Sequence, residues 1–163
     1  MMEILFIQTG GTIDKDYPKT TQGWAFEINE PAVGRILEKI NPSFSFKILS
    51  LLKKDSMEID QKDRFLLADE CEKTIEKKII ITHGTDTIIE TAKFLSKIKN
   101  KIIILTGSMR PERFSNSDAN INIGVAIGGV QSLKNGVYIA LNGLIMPFDK
   151  VKRNMETGQF MLN

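Results

Sequence analysis

The sequence predicts an α/β fold: a three-layer α/β/α sandwich around a parallel five-stranded sheet. Two observations carry this. Apolar, β-branched segments alternate with segments of helical periodicity along the 163-residue chain. The third and fourth apolar segments, "KIIIT" (Lys78–Thr82) and "KIIILT" (Lys101–Thr106), lack polar alternation, the mark of strands covered on both faces. Strand–helix–strand crossovers are right-handed, and the usual strand order of such a sheet is 2-1-3-4-5.

The remaining strands read as "EILFIQ" (Glu3–Gln8), "FKILSLL" (Phe46–Leu52) and "GVYIALN" (Gly136–Asn142). The first helix follows Asn29, with Pro31 in its first turn and Val33, Ile36, Leu37 and Ile40 on one apolar face. Asp60 caps the second, whose Phe65, Ala68, Cys71 and Ile75 make a stripe. The third starts near Asp86 and turns Ile88, Ala92 and Leu95 inward. The fourth spans 117–133, with Ile121, Gly124, Val125 and Gly128 on the packed side, where the glycines let a neighbouring backbone approach.

Composition narrows the class. Hydrophobic residues make up 42% and charged residues 26%, the balance of a globular domain. A net charge of +2 with scattered Lys and Arg argues against a nucleic-acid partner. No apolar run is long enough for a membrane span, and the N-terminus has no leader pattern. Cys71 and His83 are each the only residue of their type, so neither a disulfide nor a metal site is expected, and no cofactor is called for. These features fit a cytoplasmic single domain covering 1–163.

In a 2-1-3-4-5 sheet, the flavodoxin-like order, ligands bind beyond the carboxyl ends of the strands where the winding reverses, between strands 1 and 3. The loops there are "TGGTID" (Thr9–Asp14) and "HGTDTI" (His83–Ile88), both rich in threonine and glycine. Gly10 and Gly11 can take positive φ and bring N–H groups to a ligand, while Thr9 and Thr12 add hydroxyls that could equally bond to backbone. Gly84 opens the second loop. Thr85, Asp86 and Thr87 stand at a helix start, where one such residue suffices as cap; the others are free to hold a cation or to act as a nucleophile beside a base. His83 reads as a structural histidine. Lys150 and Lys152, after strand 5, are the lysines nearest the ligand side. Arg110, before Pro111, reads as a loop tie; Asp55 and Ser56, after strand 2, line the near rim.

Several blocks together resemble a known family. "TGGTI" (Thr9–Ile13), "HGTDT" (His83–Thr87) and "GSMRP" (Gly107–Pro111) occur in the order of the signature blocks of bacterial-type L-asparaginases, and "FDKVKRN" resembles the block in which Asp149 precedes a catalytic Lys152 by three residues. The resemblance covers the family's N-terminal domain; the smaller C-terminal domain common in the family has no counterpart in this sequence. It implies hydrolysis of the side-chain amide of asparagine, with Thr12 as one catalytic threonine and Thr85, Asp86 and Lys152 as the other catalytic group. Either Thr12 attacks the amide carbon or Thr85 activates water. Asp86 orients Lys152 or meets the substrate ammonium. Gly11, Asp55, Ser56, Gly84, Thr85, Asp86 and Ser108 are the implied substrate contacts, with Ser56 on the α-carboxylate. A lid tyrosine is implied as well, at Tyr17, with Trp24 and Phe26 at the other spacing. The partners expected are a small amino-acid amide and further copies of the chain in a homodimer or larger homo-oligomer. Two other readings stay open: a non-catalytic binder of aspartate or asparagine, and a flavin-binding module of the same strand order. No GxxxxGK[ST] run occurs, which argues against a nucleotide hydrolase.

Overall fold

The computed structural model describes residues 2–163. Among them the central sheet has six strands rather than five. β1 (Glu3–Gly10) is followed by two short ribbons: β2 (Lys15–Asp16), β3 (Lys19–Thr20), β4 (Gly23–Trp24) and β5 (Glu27–Ile28), with β2 paired to β5 and β3 to β4. Then come α1 (Ala32–Ile40), β6 (Ser45–Lys54), α2 (Gln61–Lys73), β7 (Lys78–Thr82), α3 (Ile88–Leu95), β8 (Ile102–Thr106), α4 (Ala119–Ser132) and β9 (Gly136–Leu141). The chain ends in β10 (Leu144–Pro147), β11 (Val151–Arg153) and β12 (Phe160–Leu162). Across the sheet the order is β6-β1-β7-β8-β9-β10. The first five are parallel; β10 is antiparallel to β9.

The unbroken apolar runs do what their pattern requires. Successive side chains of a strand face opposite ways. Ile79, Ile81, Ile103 and Leu105 pack on the α2/α3 side with Leu67, Cys71 and Leu95. Ile80, Ile104, Ile4 and Phe6 pack on the other side with Val33, Leu37, Ile123 and Ala126 of α1 and α4.

The helices depart from the expected faces in three places. In α1, Val33, Ile36 and Leu37 are buried but Ile40, at the last turn, is half exposed. In α2, Leu67 and Cys71 face the core, whereas Phe65 is exposed and Ile75 lies beyond the helix end. The α2 cap is as read: Asp60 Oδ1 accepts from Asp63 N at 2.9 Å, and Asp63 returns the bond at 3.0 Å. In α4 the stripe is rotated. Asn122, Ile123, Ala126, Ile127 and Val130 go inward, and Ile121 stands in solvent. Gly124 and Gly128 have open space where a Cβ would sit; the close approach is at Gly129, whose Cβ would lie 2.5 Å from Ile145 Cδ1.

The sixth strand has a local cause. Asn142 and Gly143 take φ of 52° and 78°, the positive pair that a two-residue hairpin needs, and the chain folds straight back as β10. The Phe148–Lys150 turn then lies level with the start of β9, with Phe148 N bonded to Val137 O at 3.1 Å. β11 runs back from there. Lys150 is therefore at the end of the sheet away from the predicted crevice, contrary to the expectation for it.

Candidate active site

The two threonine-glycine loops meet, backbone to backbone. Gly11 has φ 84°, and a Cβ on it would fall 2.4 Å from Gly84 N and 2.9 Å from the His83 carbonyl carbon. Gly84 in turn abuts Ser56, whose Cβ would be 2.7 Å from an added methyl. A Cβ on Gly107 would strike His83 O at 2.2 Å and reach Thr85 Cγ2 at 3.9 Å. Glycine at these positions lets the loops after β1, β6, β7 and β8 close on one rim, at the carboxyl ends of the parallel strands.

The hydroxyls divide into two sets. Thr9, fully buried, donates to Thr82 O at 2.7 Å and locks the end of β1 onto β7. Thr87 is the N-cap residue of α3, its carbonyl taking the first helical bond from Thr91 N, but its side chain does not cap: the hydroxyl donates to Ser56 O at 2.7 Å. The N-cap position thus falls to Thr87 rather than Thr85 or Asp86, and none of the three caps through its side chain. Thr12 opens a single 3-10 turn (Thr12–Asp14). Thr12 and Thr85 are both partly exposed, and neither hydroxyl has a hydrogen-bond partner among the described residues.

Ser56 is 3% exposed, and its Oγ accepts from Asp86 N at 3.2 Å, leaving its own O–H to donate. Asp55 pairs with Lys15 across the rim at 3.1 Å. The Gly11 N–H is taken by Lys54 O at 2.9 Å, so it is not a free anion donor. The Ser108 hydroxyl is turned inward to the Arg110 carbonyl. Beside it, Asp118 accepts from Met109 N, Arg110 N and Asn122 Nδ2 at 3.0, 3.2 and 2.9 Å. Arg110 reaches Asn116 O at 3.4 Å, as befits a loop tie.

The largest departure concerns Asp86. The resemblance implies that it orients Lys152. Its observed partner is Arg153, with Nη1 2.9 Å from Oδ1. Neighbours on a strand point to opposite faces, so Arg153 and Lys152 cannot both face Asp86. Val151 and Arg153 share the inner face of β11; Lys152 is exposed and has no ion pair among the described residues. Arg153 is held by Phe160, whose ring centroid is 5.3 Å from its Cζ, and by Gly158 O at 3.4 Å. No signal in the sequence singles out Arg153. The Asn142–Gly143 hairpin turn, read as such, would show that the chain reverses before reaching it.

Tyr17, at the end of β2, stacks on Trp24 at 6.2 Å and tilts against Phe26 at 4.9 Å; Phe26 also meets Phe114 at 6.3 Å. The aromatic residues weighed for the lid thus form one exposed cluster, tied down by Arg113 to Asp16 at 3.1 Å.

Two buried titratable groups lie behind the rim. His83 is fully buried, with Nδ1 2.7 Å from Gly84 O and Nε2 2.9 Å from Thr91 Oγ1, and burial drops its pKa to about 4. It is a neutral structural histidine. Asp14, in the turn that begins with Thr12, accepts from Ala32 N at 2.8 Å. Its Oδ2 and Thr82 Oγ1 are buried without a partner among the described residues. Burial raises the pKa of Asp14 to about 7, against the pull of the Ala32 N–H, Gln8 and Arg35. The sequence leaves Asp14 unmarked, because an Asp in a glycine-rich turn reads as an ordinary turn residue.

Among the described residues no cluster of three or more His, Cys, Asp or Glu is placed to hold a metal ion, and no helix is long and apolar enough to cross a membrane. A groove lined by Gln61, Phe65, Phe94 and Lys97 runs between α2 and α3, away from the rim.

The fold and rim together define a class: a parallel α/β domain with paired threonine loops at its ligand edge. The chain belongs to the asparaginase family, matching the model of the asparaginase N-terminal domain over residues 3–159. It is 28% identical to the glutaminase-asparaginase of Acinetobacter glutaminasificans, an alignment covering 97% of this chain and 52% of that protein. It is likewise 28% identical to L-asparaginase 2 of Bacillus subtilis, over 87% of this chain and 41% of the other. The thermostable L-asparaginase of Thermococcus kodakarensis superposes with a TM-score of 0.81 at 28% identity, over 99% of this chain and 51% of that one. The chain spans about half the length, or less, of the curated relatives it matches.

Proposed function

We propose that this chain carries the reactive loops of an amidohydrolase that cleaves the side-chain amide of L-asparagine or a related small amide, releasing ammonia. One observation carries the reading: Thr12 and Thr85, alone among the loop threonines, keep unbonded hydroxyls, on loops held together by the Gly11–Gly84 contact. The names of the relatives, glutaminase-asparaginase and L-asparaginase, point the same way.

In this reading the Thr12 hydroxyl attacks the amide carbon. Its proton passes to a base and from there to the departing ammonia; the family resemblance gives that part to Lys152, which must turn from the exposed face of β11 to take it. Water then cleaves the acyl-threonine, restoring the hydroxyl and leaving a carboxylate. Thr85 borders the substrate on the opposite loop and offers its hydroxyl to the incoming water. The Ser56 O–H is the donor that the resemblance assigns to a substrate carboxylate.

Thr12→Ala and Lys152→Met should each lower ammonia release by at least about 100-fold, the usual loss when a nucleophile or its proton acceptor is removed. A coupled ammonia assay with asparagine, glutamine and small amides reads this, and near-normal turnover in either variant removes that residue from the mechanism. A second reading, a binder of aspartate or asparagine without turnover, is favoured by the pairing of Asp86 with Arg153 in place of Lys152. Ligand binding without ammonia release identifies it.

A further inference from the structure

Thr12 begins a single 3-10 turn and Asp14 ends it. Thr12 is partly exposed, whereas Asp14 is 1% exposed. Asp14 Oδ1 accepts from Ala32 N at 2.8 Å, which fixes the turn to the first residue of α1. Asp14 Oδ2 and Thr82 Oγ1 are both sealed from the surface and both unbonded among the described residues. Thr82 ends β7, three residues before Thr85. Its side chain stands close enough to Asp14 to draw the pKa of that carboxyl down. One hydrogen bond between the pair satisfies both atoms: a neutral acid O–H donates and the threonine hydroxyl accepts. Such a bond joins the Thr12 turn to the strand that carries Thr85.

The surroundings of Asp14 hold its proton. Gln8 faces it from β1, uncharged, with Nε2 donating to Asn29 O at 2.7 Å. Thr82 faces it from β7. From α1 come the Ala32 N–H and Arg35, the charged group of the set, whose Nε is already bonded to Glu112 Oε2 at 2.7 Å. Burial outweighs their pull and lifts Asp14 to about 7. An ionised Asp14 would place a charge in this interior with its countercharge engaged elsewhere. The turn is partly exposed at Thr12 and Lys15, so it is the part able to yield.

We propose that Asp14 is a positioning residue for Thr12: as a neutral acid it clasps the turn to Thr82 of β7 and to α1, and the Thr12 hydroxyl stands opposite Thr85 only while that clasp is closed. The proposal rests on the reading of Thr12 as the reacting hydroxyl and deepens it by naming what governs its place.

Carbon-13 spectra of the full chain, labelled at aspartate carboxyls and threonine methyls, test it without turnover. The Asp14 carboxyl, assigned by its loss in Asp14→Asn, should titrate near pH 7, and the Thr12 methyl should shift with the same midpoint. In Asp14→Asn, which keeps an acceptor for Ala32 N and a donor for Thr82, the Thr12 methyl should stay at its low-pH position throughout. In Thr82→Val, of nearly the same shape, it should leave that position even at low pH. A Thr12 methyl that ignores the Asp14 titration, or that behaves in Thr82→Val as in wild type, overturns the proposal. If Asp14→Asn does not fold, the wild type and Thr82→Val still decide. In the ammonia assay, kcat of the wild type should fall about tenfold between about pH 6 and 8 with KM little changed, and Asp14→Asn should lack this fall. An equal fall in Asp14→Asn overturns the proposal. The hydrolase reading fails separately: no ammonia at any pH, with the Thr12 methyl still following Asp14, removes the hydrolase and leaves the clasp standing.

Discussion

Asp14 and His83 sit behind the same rim and resist ionisation for the same reason, but their effects on stability run in opposite directions. Asp14 in the folded protein keeps its proton up to about pH 7, whereas the unfolded chain releases it near 3.8. Its contribution is therefore fully present below pH 3.8 and is lost as the pH rises to 7. His83 stays neutral down to about 4, whereas the unfolded chain takes up a proton near 6.5. Its contribution is present above 6.5 and is lost as the pH falls to 4. Between pH 4 and 6.5 the two slopes oppose, each on the order of 1.4 kcal/mol per pH unit. Nearby Arg35 weakens the first shift, and Arg64, bonded to Thr91, strengthens the second. Urea unfolding across this range should show little net slope from these two groups in the wild type. Asp14→Asn, which mimics the neutral acid, should unmask stability rising with pH, and His83→Gln should unmask stability falling with it. Equal pH profiles in the two variants would contradict both assignments.

At the scale of elements, sequence legibility follows the strength of the local signal. β7 and β8 are plain because unbroken Ile runs suit no exposed setting. The α2 cap is plain because Asp60 and Asp63 lie three residues apart and each bonds the other's backbone. The face of α4 is not. Its sequence "ANINIGVAIGGVQS" is apolar nearly all round, so periodicity does not choose a side; contact with Ile104 and Ile145 does. This gives a paired test. Gly124 meets nothing, so Gly124→Ala should stabilise the helix by about 0.5–1 kcal/mol. Gly129→Ala would press a methyl to 2.5 Å from Ile145 Cδ1 and 2.8 Å from Ile104 Cδ1 and should destabilise by about 1–3 kcal/mol. Chemical denaturation of the two variants reads the difference, and equal effects would place the glycines wrongly.

Across the whole molecule, the meeting of the threonine loops follows from the winding of the sheet. β1 lies between β6 and β7, so the loops after all three emerge side by side. That much is legible from alternating elements and a strand order. Which side chains the arrangement leaves free is not. Thr9 and Thr12 are indistinguishable in "TGGT", and only the position of Thr82 O decides that the first is structural. Lys152 and Arg153 are likewise adjacent, and the alternation of β11 chooses between them for Asp86. The loop contact itself is sharply testable. Gly11→Ala adds a methyl 2.4 Å from Gly84 N at φ 84°, with rigid backbone on both sides. It should destabilise the fold by about 2 kcal/mol or more; a variant of wild-type melting temperature would show that the loops do not touch.

The reversal at Asn142–Gly143 makes for a short route through the architecture. A polypeptide going on to another parallel strand must travel the full depth of the domain twice and lay down a helix on the way, roughly a dozen residues or more. Here two residues reverse it, a four-residue segment descends, and a short ribbon climbs again. A cationic side chain thereby arrives at the threonine-bearing edge from the far flank of the sheet on very little chain. The charge at that edge can then change by altering one small ribbon, with the strands and helices that hold the threonines left as they are.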